Sequence, residues 1–275
     1  MRTHHDPGDV TEEQWALIKP HIATVQPGGR PRKTEVWDVG DAISHTLLTG
    51  CRWRYPPVDF PPKGTTWRYF DQWRIDGTLD AIHDPLRRKA GAAEKLYHPR
   101  TTASADTQSV ATPPRAEQRG RVNARNVGGR KRHIVVDSMG LLPAVLVTAA
   151  SVDDGRAAQE LFARLEGQPM GKVTRLYADS KYHNLDLYEW VGANARWDLK
   201  IIRRPEGKKG WVKLPIRWPV ERTFAWLGRC RRLSKDREKS VRSSESFIKL
   251  AMIQLMLHRL EPDGTDAEFH SREAA

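Results

Sequence analysis

Apolar residues recur at three- to four-residue intervals through residues 11–91, the period of amphipathic helices. Thr11 predicts an N-cap, with Glu12 and Glu13 in the first turn and Trp15, Ile18 and Ile22 on one face. Pro27-Gly28-Gly29-Arg30-Pro31-Arg32-Lys33 reads as a loop with basic arms. A second helix is expected from about Glu35 to Leu48, stopping at Gly50, followed by a loop from Pro56 to Gly64. Thr65 or Thr66 is expected to cap a third helix carrying Trp67, Phe70 and Trp73. Gly77-Thr78 opens a fourth, with Leu79, Ile82 and Leu86 as its apolar face.

Beyond a polar, alanine-rich link at residues 90–100 the period changes. Strands are expected at Ser104–Val110, Lys131–Val136 and Leu142–Ala149, with a basic segment from Pro113 to Gly129 and a turn at Asp137–Gly140. Then come a helix at Asp153–Leu165, a strand at Val173–Ala178 ending on Asp179, a helix at Leu185–Val191 and a strand at Leu199–Arg203. A basic loop at Lys208–Pro215 precedes helices from Pro219 to about Arg232 and from Ser244 to Leu260. Strands first adjacent and then alternating with helices predict an α/β domain. The order β-β-β-α-β-α-β-α is that of the ribonuclease-H-like fold. The expected organisation is a small all-α, helix-turn-helix-like domain at 1–95, an α/β domain at 96–260, and a disordered tail at 261–275. A plain helical packing domain remains the alternative for the first part.

Charge narrows the partner. Basic residues exceed acidic ones by 12 in 275, with a pI near 9.9, which points to a polyanion. The excess is concentrated: Leu199–Arg242 holds 15 basic and 4 acidic residues, and Arg115–His133 holds 7 and 1. No long basic amphipathic helix stands out, so duplex DNA is expected and a membrane surface is not. Cys51 and Cys230 lack metal-ligand spacing, and the N-terminus lacks an apolar signal segment. A cytoplasmic, nucleoid-associated protein is the expectation.

Three acidic residues stand apart. Asp106 lies within the first expected strand, Asp179 ends a later one 73 residues on, and Glu221 sits in a helical first turn 42 residues further. Carboxylate oxygens suit hard ions such as Mg²⁺ or Mn²⁺. Two such ions roughly 3.5–4 Å apart can clamp the attacking and leaving oxygens of a phosphodiester. Each residue also has a structural reading. Aspartate at a strand end often forms a turn, and Glu221 at N3 complements the helix dipole. A full capping box is missing there, because Trp218 offers no side-chain oxygen. Arg222, Trp226 and Arg229 form a helical stripe suited to phosphates, whereas Trp218, Phe224 and Leu227 read as core. Arg130, Lys131 and Arg132 could contact phosphates or form a solvated strand edge. His133 reads as structural.

Four blocks carry a resemblance: Ala105-Asp106-Thr107-Gln108-Ser109-Val110, Gly129-Arg130-Lys131-Arg132-His133-Ile134-Val135-Val136-Asp137, Ala178-Asp179-Ser180-Lys181-Tyr182, and Trp218-Pro219-Val220-Glu221-Arg222-Thr223-Phe224-Ala225-Trp226-Leu227 with Arg231-Arg232-Leu233. Together with Gln14-Trp15, Gly29-Arg30-Pro31, Gly50-Cys51-Arg52-Trp53 and Trp73-Arg74-Ile75-Asp76-Gly77, they resemble DDE transposases of bacterial insertion sequences, of the insertion-sequence-five group. The likeness runs over roughly residues 10–260. It implies a ribonuclease-H-like core with Asp106, Asp179 and Glu221 as catalytic metal ligands for two Mg²⁺ or Mn²⁺ ions. It also implies an N-terminal domain that helps to recognise terminal inverted repeats. Arg217 matches the arginine that the wider superfamily places four residues before the glutamate. Lys181 departs from the glycine or alanine of many relatives.

The expected activity is metal-dependent cutting and joining of DNA at element ends, by a homodimer or larger assembly on DNA. Arg30, Arg32, Lys33, Arg68, Arg74, Arg130, Lys131, Arg132, Arg217, Arg222, Arg229, Arg231 and Arg232 are the expected DNA contacts. A non-catalytic DNA-binding protein and a nuclease unable to join strands are the rivals.

Overall fold

The computed structural model describes residues 8–23, 33–93, 101–122, 127–165, 168, 173–202 and 216–262. Arg30, Arg32, the basic loop at 208–215 and most of the expected tail lie outside them. The chain forms two compact units. One comprises Met1–Glu94, Cys230–Leu233 and Lys249–Ala275; the other comprises Lys95–Arg229 and Ser234–Ile248. The first unit thus includes Cys230–Leu233 and the segment from Lys249 onward, stretches that, as far as residue 260, the expected 96–260 domain would contain.

In the first unit, Thr11 and Gln14 form a reciprocal capping box at the start of α1 (Glu12–Ile18). α2 (Val36–Thr49) ends at Gly50, whose φ of +68° is a left-handed stop that glycine adopts without strain. α3 (Lys63–Ile75) begins three or four residues earlier than expected. Its N-cap is Pro62, and Thr66 is a buried interior residue donating to the Pro61 carbonyl rather than a cap. α4 (Thr78–Ala93) continues through Pro85. Val39, Ile43, Leu47, Phe70, Trp73, Leu79, Ile82 and Leu86 are all buried, so the sequence periodicity marks the true inner faces.

The second unit is a six-stranded mixed sheet with helices, an α/β domain. β1 (Thr102–Ala111) is central. It pairs antiparallel with β3 (Val127–Asp137) on one side and parallel with β5 (Arg175–Asp179) on the other. β6 (Asp198–Ile202) extends the parallel edge. β2 (Gly120–Val122) and β4 (Ala144–Ala149) pair with successive stretches of β3. β2 and the start of β3 were not foreseen, because the glycine- and arginine-rich segment shows no alternation of apolar residues. Gly129 stands opposite Ala111. Any Cβ there would collide with the Val110 carbonyl, so the pairing requires glycine.

α5 (Asp154–Ala163) and α6 (Leu185–Asn194) supply the covering residues Ala158, Leu161, Phe162, Leu187 and Val191, which join Ala103, Ala105, Val135, Leu176 and Ala178 of the strands in one core. α7 (Trp218–Arg229) docks on the turn between β3 and β4. Thr223 Oγ1 donates to the Gly140 carbonyl at 2.8 Å, and Arg222 Nη2 donates to the Met139 carbonyl at 3.0 Å. Gly140, at φ +77°, leaves room for Thr223 and the Trp226 ring, which a Cβ would approach to 2.7 Å. Val220, Thr223 and Leu227 form the buried face of α7. Trp218 is exposed and Phe224 only half-buried, so of the three expected core residues Leu227 alone is fully inside. α8 (Val241–Leu260) is the last helix among the described residues. No helix among the described residues is long and apolar enough to cross a membrane.

Candidate active site

Asp106 is reached along β1, whose neighbours Ala105 and Ala103 point into the core while Asp106 turns to the half-exposed face. Asp179 ends the adjacent parallel strand. Its Oδ1 accepts the Lys181 N–H at 3.0 Å and opens a short 3-10 turn, Ser180–Tyr182. The turn-forming reading and the ligand reading of Asp179 are therefore compatible: one oxygen fixes the turn and the other remains. Glu221 lies in the first turn of α7, half-buried.

Arg217 links them. Its Nη2 donates to Asp106 Oδ2 at 2.6 Å, with the two side chains 18% and 17% exposed. Burial opposes the guanidinium's charge. The field of Asp106 and its hydrogen bond, then the fields of Asp179 and Glu221, outweigh that and hold Arg217 above its ordinary range. Asp106 alone touches the guanidinium; Asp179 and Glu221 act on it only through their fields. Asp179 is pushed up from the usual carboxylate range, first by burial and then by the negative charge of Asp106. Among the described residues no three His, Cys, Asp or Glu side chains converge closely enough to hold one metal ion. The donors match hard divalent ions in chemistry, and a cation already occupies their field; as placed, it is the guanidinium.

A buried polar chain that sequence reasoning did not single out supports the two aspartates. Thr148 Oγ1 meets His133 Nε2 at 2.9 Å, His133 Nδ1 meets Thr107 Oγ1 at 3.1 Å, and Thr107 Oγ1 meets the Tyr182 hydroxyl at 2.8 Å. Thr107 follows Asp106 and Tyr182 closes the Asp179 turn, so the chain ties both carboxylate-bearing segments to β3 and β4. The only sequence signal was adjacency to the acidic residues. His133 is indeed structural: burial brings it down to about 4. Because the unfolded histidine titrates near 6.5, the unfolded chain takes up the proton first. Stability is full above that value and falls as pH drops toward 4, by about 3 kcal/mol at most. Urea denaturation at pH 7 and pH 5 should show this loss, and His133→Gln should flatten it.

Several expected DNA contacts are buried or engaged within the fold. Arg130 and Arg132 are 0% and 1% exposed, so neither can reach a phosphate. Burial lowers Arg132 to about 10, against the pull of Asp236. Lys131 is spent on the Val152 carbonyl and Asp154. Arg232 is buried, donating to the Cys51 carbonyl and lying over Trp53. Arg74 pairs with Asp71. Arg222 stacks on Trp226 at 4.7 Å and is bound to Met139. Short-range spacing cannot separate an arginine that saturates carbonyls from one that faces solvent. Lys33, Arg68, Arg229 and Arg231 are exposed. Lys181, 60% exposed, rests 3.5 Å from buried Asp154 beside the Asp179 turn.

A family model described as "Transposase DDE domain" matches residues 75–256. The chain belongs to this family. A second model, "Putative transposase of IS4/5 family", matches residues 10–83, so the two cover both units' principal segments. A curated relative, "Putative transposase for insertion sequence element IS402" from Burkholderia cepacia, is 32% identical over 128 residues, 44% of this chain. The match spans 60% of that relative's length. Among solved structures, a piggyBac transposase synaptic complex with hairpin DNA has a TM-score of 0.35 and 14% identity, covering 73% of this chain and 48% of the other.

Proposed function

We propose that this DDE-family protein is an insertion-sequence transposase that cuts and joins DNA at the element's ends. The observation that carries the reading is the family match over residues 75–256; the pairing of Arg217 with Asp106, one strand over from Asp179 and four residues before Glu221, supports it. The sheet order, with β3 antiparallel and β5 parallel to a central β1 and β6 beyond, is in keeping with a ribonuclease-H-like catalytic unit. The four-helix N-terminal segment would be a helix-turn-helix-like reader of terminal inverted repeats, with Lys33 and Arg68 among its phosphate contacts.

Asp106, Asp179 and Glu221 would hold two Mg²⁺ or Mn²⁺ ions. When bound, such ions lower the pKa of water and stabilise the oxygens of an in-line phosphodiester displacement. Water attacks the phosphorus at the element's end and the 3′-oxygen leaves with a proton. The freed 3′-hydroxyl then attacks a phosphodiester of target DNA, expelling its 3′-oxygen, so one bond forms for each broken and no ATP is consumed. The chain's own part is to position the carboxylates, through the Thr107–Tyr182–His133 chain, and to hold DNA phosphates with Arg229, Arg231 and Lys181. Joining two ends to one target implies a homodimer or larger assembly on DNA.

A plasmid excision assay with the element's own flanking repeats tests this. Glu221→Gln should abolish excision while leaving DNA binding in place. Unchanged excision rejects the triad, and an inert wild type that still binds its ends favours a DNA-binding protein without catalysis.

A further inference from the structure

The reading of Asp106, Asp179 and Glu221 as metal ligands leaves open what holds these charges together before ions arrive. We propose that Arg217 is a built-in competitor for the divalent ions: its guanidinium holds Asp106 in the metal-free protein and must swing out before the site can load. This rests on the proposed function.

Both oxygens of Asp106 are engaged. Oδ2 takes Arg217 Nη2 at 2.6 Å, and Oδ1 takes the Thr107 N–H at 2.7 Å. A divalent ion drawn to Oδ2 meets the guanidinium's positive charge at the same oxygen, so the two cations compete for it. The bond is short for a charge-assisted one and largely shielded from water, so the competition is not screened away.

Arg217 is also not built as a permanent anchor. Arg130, by comparison, is fully buried and spreads its donors over one carboxylate and four carbonyls. Among the described residues Arg217 has one carboxylate partner, and its buried Nε meets no hydrogen-bond acceptor. Its backbone is fixed, because its carbonyl accepts the N–H groups of Val220 at 3.1 Å and Glu221 at 3.3 Å at the start of α7. Release is therefore a side-chain rotation that leaves Glu221 in place. A single delocalised positive charge stands where two divalent ions would bring four, so it neutralises the acidic group only in part. That suits a placeholder.

The test is Mn²⁺ binding followed by electron paramagnetic resonance on the full chain without DNA. Wild type should bind weakly. Arg217→Gln should bind at least about tenfold more tightly, the effect of removing an adjacent unit charge. Arg217→Lys keeps the charge and should stay near wild type. Equal or weaker binding by Arg217→Gln overturns the proposal, as does tight binding by Arg217→Lys, which would make shape rather than charge the cause. Adding Asp106→Asn to Arg217→Gln should erase the gain; a gain that survives places the ions elsewhere and overturns it too. Should Arg217→Gln fail a circular-dichroism check of folding, Arg217→Met keeps the apolar stem and is measured instead. Mn²⁺ affinity indifferent to Asp106→Asn, Asp179→Asn and Glu221→Gln alike would defeat the metal-ligand reading itself, whatever Arg217 does.

Discussion

Arg130→Ala is expected to destabilise the α/β unit by about 3–5 kcal/mol, the cost of removing one partner from a buried ion pair. The guanidinium is wholly inside. It meets Asp236 Oδ2 at 3.1 Å and donates to the carbonyls of Glu117, Glu238, Lys239 and Ser240. Asp236 in turn accepts Ser244 Oγ at 2.8 Å and the Glu238 N–H at 3.0 Å, and its own N–H reaches the Ala111 carbonyl. One side chain thus fastens the segment before β2 and the segment before α8 to the sheet. Without it, Asp236 keeps a buried charge and four carbonyls lose their donor. Urea denaturation measures the loss. Arg130→Met with Asp236→Leu should recover part of it, because no charge is then left alone. A single-mutant cost under about 1 kcal/mol would mean that the network is not formed as described.

That arginine also marks the limit of what the chain reveals before folding. Helices α1 to α4 and strands β1, β3, β4, β5 and β6 follow from periodicity, because burial of one face imposes it. Asp179 lies at a strand end and Glu221 in a helical first turn as expected, while Asp106 sits within β1. The basic residues did not sort. Arg130, Arg132 and Arg232 look in sequence like a phosphate-binding cluster, yet all three are buried. An arginine's role depends on which carbonyls lie within its reach, and Arg130 finds its acceptors as much as 110 residues away. The Thr107–His133–Tyr182 chain escaped for the same reason, since its members belong to three separate segments. Arg217 was legible by position but not in its partner, because residue spacing says nothing about which carboxylate claims a guanidinium.

Asp179→Asn is expected to make the protein more stable and catalytically dead at once. Burial and the neighbouring charge of Asp106 raise this carboxyl, so folding disfavours its ionised form. With the folded pKa above the unfolded one, its contribution is best below the carboxylate range and is lost as pH rises through the raised value. At neutral pH the wild type therefore carries a strain that a neutral amide removes. The amide can still accept the Lys181 N–H that shapes the turn. Thermal melting without metal should show a higher midpoint for Asp179→Asn. Asp106→Asn should move it the other way, because the charge facing Arg217 disappears and a half-buried guanidinium loses its partner. Cleavage of end-containing DNA should fall about a thousandfold or more in either variant. The double variant should be little worse than either single one, since the carboxylates act as a unit. A lower midpoint for Asp179→Asn would show that its charge is compensated rather than strained. Residual cutting near wild type would show that the strained carboxylate serves the fold and not the chemistry. Opposite signs in stability with the same collapse in activity would show that both carboxylates serve the chemistry, one at a cost to the fold and the other while also supporting it.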